Sequence, residues 1–119
     1  METFACVRPE HLNQHGHLFG GQILLWADEF AWMAAARDFP GCRFVTVAFD
    51  HSAFRQPAPL GALLRFEMKM DGRGRTSVHY AVTIHATPPG GTAETLIFTT
   101  RVSFVRVDDD GNKTPLPDA

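Results

Sequence analysis

The sequence is short of several things, and each shortage removes a class of protein. It carries two cysteines, Cys6 and Cys42. Two are too few for a disulfide scaffold, and they match no zinc spacing. Both read as buried thiols in a reducing compartment. Net charge is −2 at pH 7, so there is no electrostatic footprint for nucleic acid or an anionic membrane. No apolar run reaches transmembrane length. The start, Met1 to Cys6, lacks the basic segment and long apolar stretch of a secretory leader. The expectation is a cytoplasmic protein with neither nucleic acid nor membrane as partner. Repeats and linkers are also missing. What the chain does have is apolar residues: 45% of its 119 positions, ten of them Phe. That suits one domain, residues 1–119, with a modest core.

The chain is organised around Asn13 to Ala31. A polar, glycine-bearing loop feeds an apolar helix, expected from Gly20-Gly21 to about Asp38. Phe39-Pro40-Gly41 stops it, because the residue before Pro avoids the α region. Ile23, Ala27, Phe30 and Ala34 form one stripe, and Leu24, Ala31 and Ala35 the next. With Trp26 and Trp32 added, the helix is apolar nearly all round, which reads as buried. Asp28 lies on the line through Leu24, Ala31 and Trp32 and should face protein. Glu29 lies with Leu25, Trp26 and Met33.

Most other segments read as strands. Thr3 to Val7 is a first strand, and Glu10 to Phe19 a loop. Arg43 to Arg55 carries apolar residues on both faces, which fits a strand buried on both sides, an interface being one way to cover the second. Leu64, Phe66, Met68 and Met70 alternate with Arg65, Glu67 and Lys69. Asp71-Gly72-Arg73-Gly74 is a hairpin turn. Val78, Tyr80, Val82 and Ile84 alternate in the next strand. Pro88 to Gly91 turns the chain into a last strand from about Ala93 to Val107. Residues 108–119, acidic and proline-bearing, read as an irregular tail. The fold class is α+β: an antiparallel sheet of about five strands curled round one long helix.

Several residues bear chemistry. A carboxylate within an apolar helix costs free energy unless solvated or paired. Asp28 is therefore a candidate general base or nucleophile, or else a structural partner of a neighbouring element, with Glu29 as its competitor. Gly20 and Gly21 open the helix, where free N–H groups meet the positive end of the dipole. That can hold an oxyanion or a polarised carbonyl, or it can be only a tight turn. Seven residues of helix separate Gly21 from Asp28, roughly 10 Å along the axis. One small reacting group cannot touch both on a single chain, so a second chain is expected to complete the site. Asn13 can orient a water or a carbonyl, or form a turn. His15-x-His17 lacks a third ligand, so no metal is expected. Arg73, Gly74, Arg75, Thr76 and Ser77 gather at a tip suited to phosphate, or to plain solvation.

These residues resemble a family. Asn13-x-x-Gly16-x-x-Phe19-Gly20-Gly21, followed by Asp28, is similar to the acyl-CoA thioesterases of the hotdog fold, in the branch of the broad-range bacterial and brain-type acyl-CoA hydrolases. The likeness continues through Val45-Thr46-Val47, Phe54, Pro57 and Gly61, and through Gly74-x-Thr76-Ser77-Val78. It ends with Asp110, Lys113 and Pro115-Leu116-Pro117. The resemblance implies hydrolysis of a fatty acyl-CoA to free acid and coenzyme A, with no cofactor beyond the coenzyme A of the substrate. It implies Asp28 as general base or nucleophile, the Gly21 amide as carbonyl donor, and Asn13 contributed by the facing protomer. Phe19 and Gly20 belong to the same substrate loop, and the Gly74–Ser77 tip meets the coenzyme A nucleotide. It also implies a homodimer with cross-subunit sites, assembled as a hexamer from three dimers. Gln56, Ala62 and Arg75 depart from the family pattern, at positions bearing on acyl or coenzyme A preference. The other reading is a non-catalytic acyl-CoA-binding module, since one fold hosts many functions.

Overall fold

The computed structural model describes residues 1–118. The elements run β1 (Glu2–Cys6), a 3₁₀ turn (Pro9–His11), α1 (Gly20–Asp38), β2 (Arg43–Phe54), β3 (Leu63–Arg73), β4 (Ser77–Thr87) and β5 (Thr95–Val107). The strands form one antiparallel sheet in the order β1-β3-β4-β5-β2. The short β1 and the long β2 are its edges. α1 packs on one face, touching β2, β3, β4 and β5.

The local chemistry explains α1. It starts at the glycine pair, where Phe19 as N-cap brings no capping side chain. It ends where the Phe39 N–H donates to the Ala35 carbonyl at 2.9 Å, just before Pro40. Ile23, Ala27, Ala31, Ala34 and Ala35 are its buried face. Four of those five are alanine, so the helix lies close to the sheet, and the sheet supplies the bulk. Phe66, Tyr80, Phe98 and Phe104 are fully buried, each contributing about 1.5–3 kcal/mol of burial. Phe30 and Trp26 meet the Phe66 ring edge-on at 4.9 and 5.8 Å. At the helix end the Tyr80 hydroxyl donates to Asp38 Oδ2 at 2.7 Å. Burial, and secondarily Asp38, push the Tyr80 phenol well above its usual range.

Five expectations need correction. Leu25, Glu29, Trp32 and Met33 are exposed in this chain, so α1 is not buried all round. Its apolar residues divide between a core face and an open one. Within one chain β2 is likewise not covered on both sides: Val45, Val47 and Phe49 are 42%, 56% and 39% exposed, so any second cover must come from an interface. Its pattern is scrambled by register shifts between Thr46 and Ala48 and between Asp50 and Ala53. Each extra residue moves the following side chains to the other face. The hairpin turn is shorter than expected, because Asp71 to Arg73 stay in β3 past an irregularity after Met70. Met70 is accordingly exposed while Leu64, Phe66 and Met68 are buried. Cys6 is exposed and Cys42 half-buried. Finally, the tail is tied down. Val107 bridges Lys113, Leu116 is buried, and the Leu116 N–H donates to the Arg75 carbonyl at 2.8 Å.

Candidate active site

The loop ahead of α1 is held by short-range hydrogen bonds. Asn13 Oδ1 accepts the amides of His15 and His17 at 2.9 and 3.1 Å. The Asn13 N–H donates to the His17 carbonyl at 2.7 Å, and the Gly16 N–H to the Asn13 carbonyl. Gly16, at φ 78°, supplies the left-handed step that closes the turn. The Asn13 amide oxygen is therefore committed to the loop, and its NH₂ is the group left for a ligand. His15 and His17 are exposed.

The loop delivers the chain to the helix start. The Phe19 N–H donates to the His11 carbonyl at 2.8 Å, and the Phe19 carbonyl accepts the amides of Gln22 and Ile23. The Gly20 and Gly21 amides are the first two of the helix, whose N–H groups have no partner within it. A cleft of about 320 Å³ opens there, lined by Asn13, Leu18, Gly20, Ile23, and Phe54 to Ala58. The Phe54 ring, stacked on Phe98 at 4.6 Å, forms its wall. A Cβ on Gly20 would come within 3.4 Å of that ring, and one on Gly21 would collide with the Phe19 ring. Gly20 thus leaves room beside the Phe54 wall, and Gly21 lets the Phe19 ring lie against the helix start.

Asp28 sits elsewhere. It is half-buried, faces β2, and accepts a hydrogen bond of 2.5 Å from the Thr46 hydroxyl. Glu29 is exposed, so the neighbouring acids are separated by environment. Asp28 does not line the cleft that holds Asn13 and Gly20. The structure brings Asn13 and Gly20 into one cleft, with Phe19 and Gly21 as the chain neighbours of Gly20, and leaves Asp28 apart, as the helix-rise argument predicts. Thr46 escaped sequence reasoning. It lies between Val45 and Val47 and reads as an ordinary strand residue. The signal available was a hydroxyl in an apolar run that had to face the helix.

The tip at Arg73 to Ser77 divides. The Gly74 N–H donates to the Ser77 carbonyl at 2.9 Å. Arg73 turns toward the helix end: it donates to the Pro117 carbonyl at 2.8 Å and stacks over Phe39 at 5.2 Å. It lines a second, larger cleft of about 760 Å³ with Asp38, Phe39, Pro40, Met70, Pro117 and Asp118. That cleft contains none of the groups at the helix start. Arg75 is exposed, and Thr76 and Ser77 are half-buried. Among the described residues, no three His, Cys, Asp or Glu side chains converge as metal ligands. No helix is long and apolar enough to cross a membrane.

A five-stranded antiparallel sheet carrying one long helix, with a glycine-opened helix start and a mid-helix acid, is the architecture of hotdog thioesterases. The chain is 28% identical to a hexameric hotdog-fold thioesterase of Campylobacter jejuni, at a TM-score of 0.86, covering 97% of this chain and 88% of that one. It is 26% identical to an acyl-CoA hydrolase of Staphylococcus aureus solved with butyryl coenzyme A and coenzyme A, at a TM-score of 0.88. That match covers 98% of this chain and 71% of that one. The same hydrolase has been solved with an Asp→Ala and with a Thr→Ala replacement. The sequence is also 33% identical over 86 residues to the acetyl-coenzyme A thioesterase of Rattus norvegicus, covering 72% of this chain. The chain spans only 15% of that protein's length. The thioesterase superfamily model matches residues 15–93. The chain belongs to that superfamily and adopts the hotdog fold.

Proposed function

We propose that this chain hydrolyses acyl-CoA thioesters to free carboxylic acid and coenzyme A, in sites shared between two copies. The observation that carries the reading is the Asp28–Thr46 pair. A half-buried helix carboxylate is fixed by one hydroxyl, while the donor-rich helix start lies in a separate cleft. Paired copies bring one chain's Asp28 to the other's Asn13 and Gly21. The surface for pairing is the exposed edge of β2 with Val45, Val47 and Phe49, beside Leu25, Trp32 and Met33 of α1. An open strand edge bordered by apolar side chains is a template for a second chain. Relatives described as hexameric support a trimer of such pairs.

In this reading a water molecule lies against Asp28, oriented by Thr46. Asp28 takes its proton as the water oxygen bonds to the thioester carbon. The Gly21 N–H and the Asn13 NH₂ of the facing copy donate to the carbonyl oxygen as it becomes an oxyanion. Because Asn13 Oδ1 is already occupied, Asn13 serves the carbonyl rather than steering water as an acceptor. The C–S bond then breaks, and the proton held by Asp28 passes to the departing thiolate. Asp28 attacking directly as a nucleophile is the variant of this scheme. Arg75, Thr76 and Ser77 receive the nucleotide end of coenzyme A. Arg73, engaged by Pro117 and Phe39, is left with a supporting part.

The test is release of free thiol from acyl-CoAs of short to long chain. Asp28→Asn is expected to lower kcat by about 10²–10⁴-fold, and Glu29→Gln to leave it near wild type. Retained turnover in Asp28→Asn with loss in Glu29→Gln overturns the assignment. Tight acyl-CoA binding by wild type without turnover makes the chain a binding module instead.

A further inference from the structure

His11 lies in the stretch that reads as featureless loop, yet it is 7% exposed and engaged three ways. Its Nδ1 accepts the Arg8 N–H at 3.0 Å. Its ring meets Trp26 edge-on at 4.7 Å, and Trp26 in turn meets Phe66. Its carbonyl accepts the Phe19 N–H at 2.8 Å. In that bond Nδ1 is the acceptor, a role that a carbon at the same place cannot fill.

These three contacts join the 3₁₀ turn to the helix start, beside the Leu12–Leu18 bridge and the Asn13–His17 bond. The Arg8 bond closes the 3₁₀ turn. The Trp26 contact ties that turn to the second turn of α1. The Phe19 bond fixes the residue whose carbonyl caps the first turn. Direction in space of the Gly20 and Gly21 amides follows from where Phe19 is held. Donors aimed at a developing oxyanion lose their effect with small displacements, because the hydrogen bond is steep in distance and angle. Asn13, two residues on, is anchored by the same turn.

We propose that His11 is a positioning residue for the amide donors at the start of α1, acting through its δ1 acceptor and its carbonyl rather than by touching substrate. The proposal rests on the thioesterase reading for its kinetic consequence, but not for its structural one. The two are therefore tested separately. His11→Asn keeps an acceptor at the δ1 position and loses the ring. His11→Phe keeps the ring and loses the acceptor. In amide exchange without substrate, the Phe19 N–H is expected to exchange at least about tenfold faster in His11→Phe, with displaced Gly20 and Gly21 amide resonances. His11→Asn is expected to stay near wild type. In thiol-release kinetics, His11→Phe is expected to lose about ten- to a hundredfold in kcat, below the full loss of an oxyanion donor. Its KM should change less than about threefold, since such donors act mainly in the transition state. His11→Asn is expected to recover most of kcat. If the two variants exchange and turn over alike, or if only melting temperature moves, the positioning role is wrong. If wild type shows no hydrolysis while the exchange pattern holds, the enzyme reading fails and the positioning stands.

Discussion

The two ends of α1 are finished in opposite ways. At its C-terminal end three contacts close the helix. The Phe39 amide closes on Ala35, the Asp38 carboxylate takes the Tyr80 hydroxyl, and Arg73 covers the Phe39 ring. At its N-terminal end the cap residue is Phe19, which offers no side-chain acceptor, and two glycines hold the backbone bare. Ser, Thr, Asp or Asn at that cap would stabilise the helix by about 1 kcal/mol. Leaving it uncapped keeps donors free for a ligand. In the proposed reaction the same helix stabilises the fold at one end and presents donors at the other.

The comparison breaks most visibly at Gly21. Gly21→Ala is expected to lower kcat by about 10²-fold, because the new methyl displaces the Phe19 ring that lies against the helix start. Thermal melting should hold or rise slightly, since Ala favours a helix over Gly by up to about 1 kcal/mol. Unchanged kcat would mean the helix start is not where the carbonyl binds.

The closed end predicts the reverse. Tyr80→Phe should leave kcat within about twofold and lower melting at pH 7 by about 4 °C, from roughly 1 kcal/mol of lost hydrogen bond. The Tyr80 phenol is raised in the folded state. Its contribution is therefore complete below the unfolded value of about 10 and is lost as pH rises beyond it. A melting series from pH 7 to 11 should show the gap between wild type and Tyr80→Phe narrowing above pH 10. A gap constant across that range contradicts the assignment.

The smallest effect belongs to an ion pair remote from both ends. Arg65 donates to both Glu94 oxygens, at 2.8 and 2.9 Å. The hydrogen bond from Arg65 holds the Glu94 carboxyl below its ordinary value. The pair therefore contributes above about pH 4.5 and fades as pH falls below it. Glu94→Gln should shift melting by less than about 2 °C at pH 7, with the difference shrinking as pH falls below the ordinary carboxylate range. A larger shift would mean that the loop before β5 bears more of the fold than its exposure indicates.

Much of this was legible in the sequence where local chemistry and tertiary environment agree. The bounds of α1 follow from Gly20-Gly21 and Phe39-Pro40-Gly41. β4 follows from strict alternation, because its inner residues are buried and its outer ones half-exposed. The separation of Asp28 from the glycines follows from helix rise alone. Reading failed where one extra residue or a distant partner decides. The register shifts in β2 interrupt its alternation, so its faces cannot be assigned by counting. Thr46 acquires its meaning from a residue eighteen positions earlier. His11 looks like loop because its role lies in a carbonyl and a ring contact, neither of which has a composition signature. The tail looks disordered by composition, yet Leu116 anchors it and the Pro115 and Pro117 carbonyls accept from Arg106 and Arg73.

The interruptions of β2 bear on how the molecule avoids runaway polymers. A smooth exposed edge will accept strands from any neighbour and can seed fibres. β2 offers only Arg43–Thr46, Ala48–Asp50 and Ala53–Phe54 in unbroken register, with His51 set at φ 52° between the last two. An incoming strand finds at most four consecutive residues before the rails shift. Indiscriminate stacking is penalised at each break, whereas an antiparallel copy carrying the same breaks can mesh with them once, leaving only the short β1 of each copy as a sheet edge.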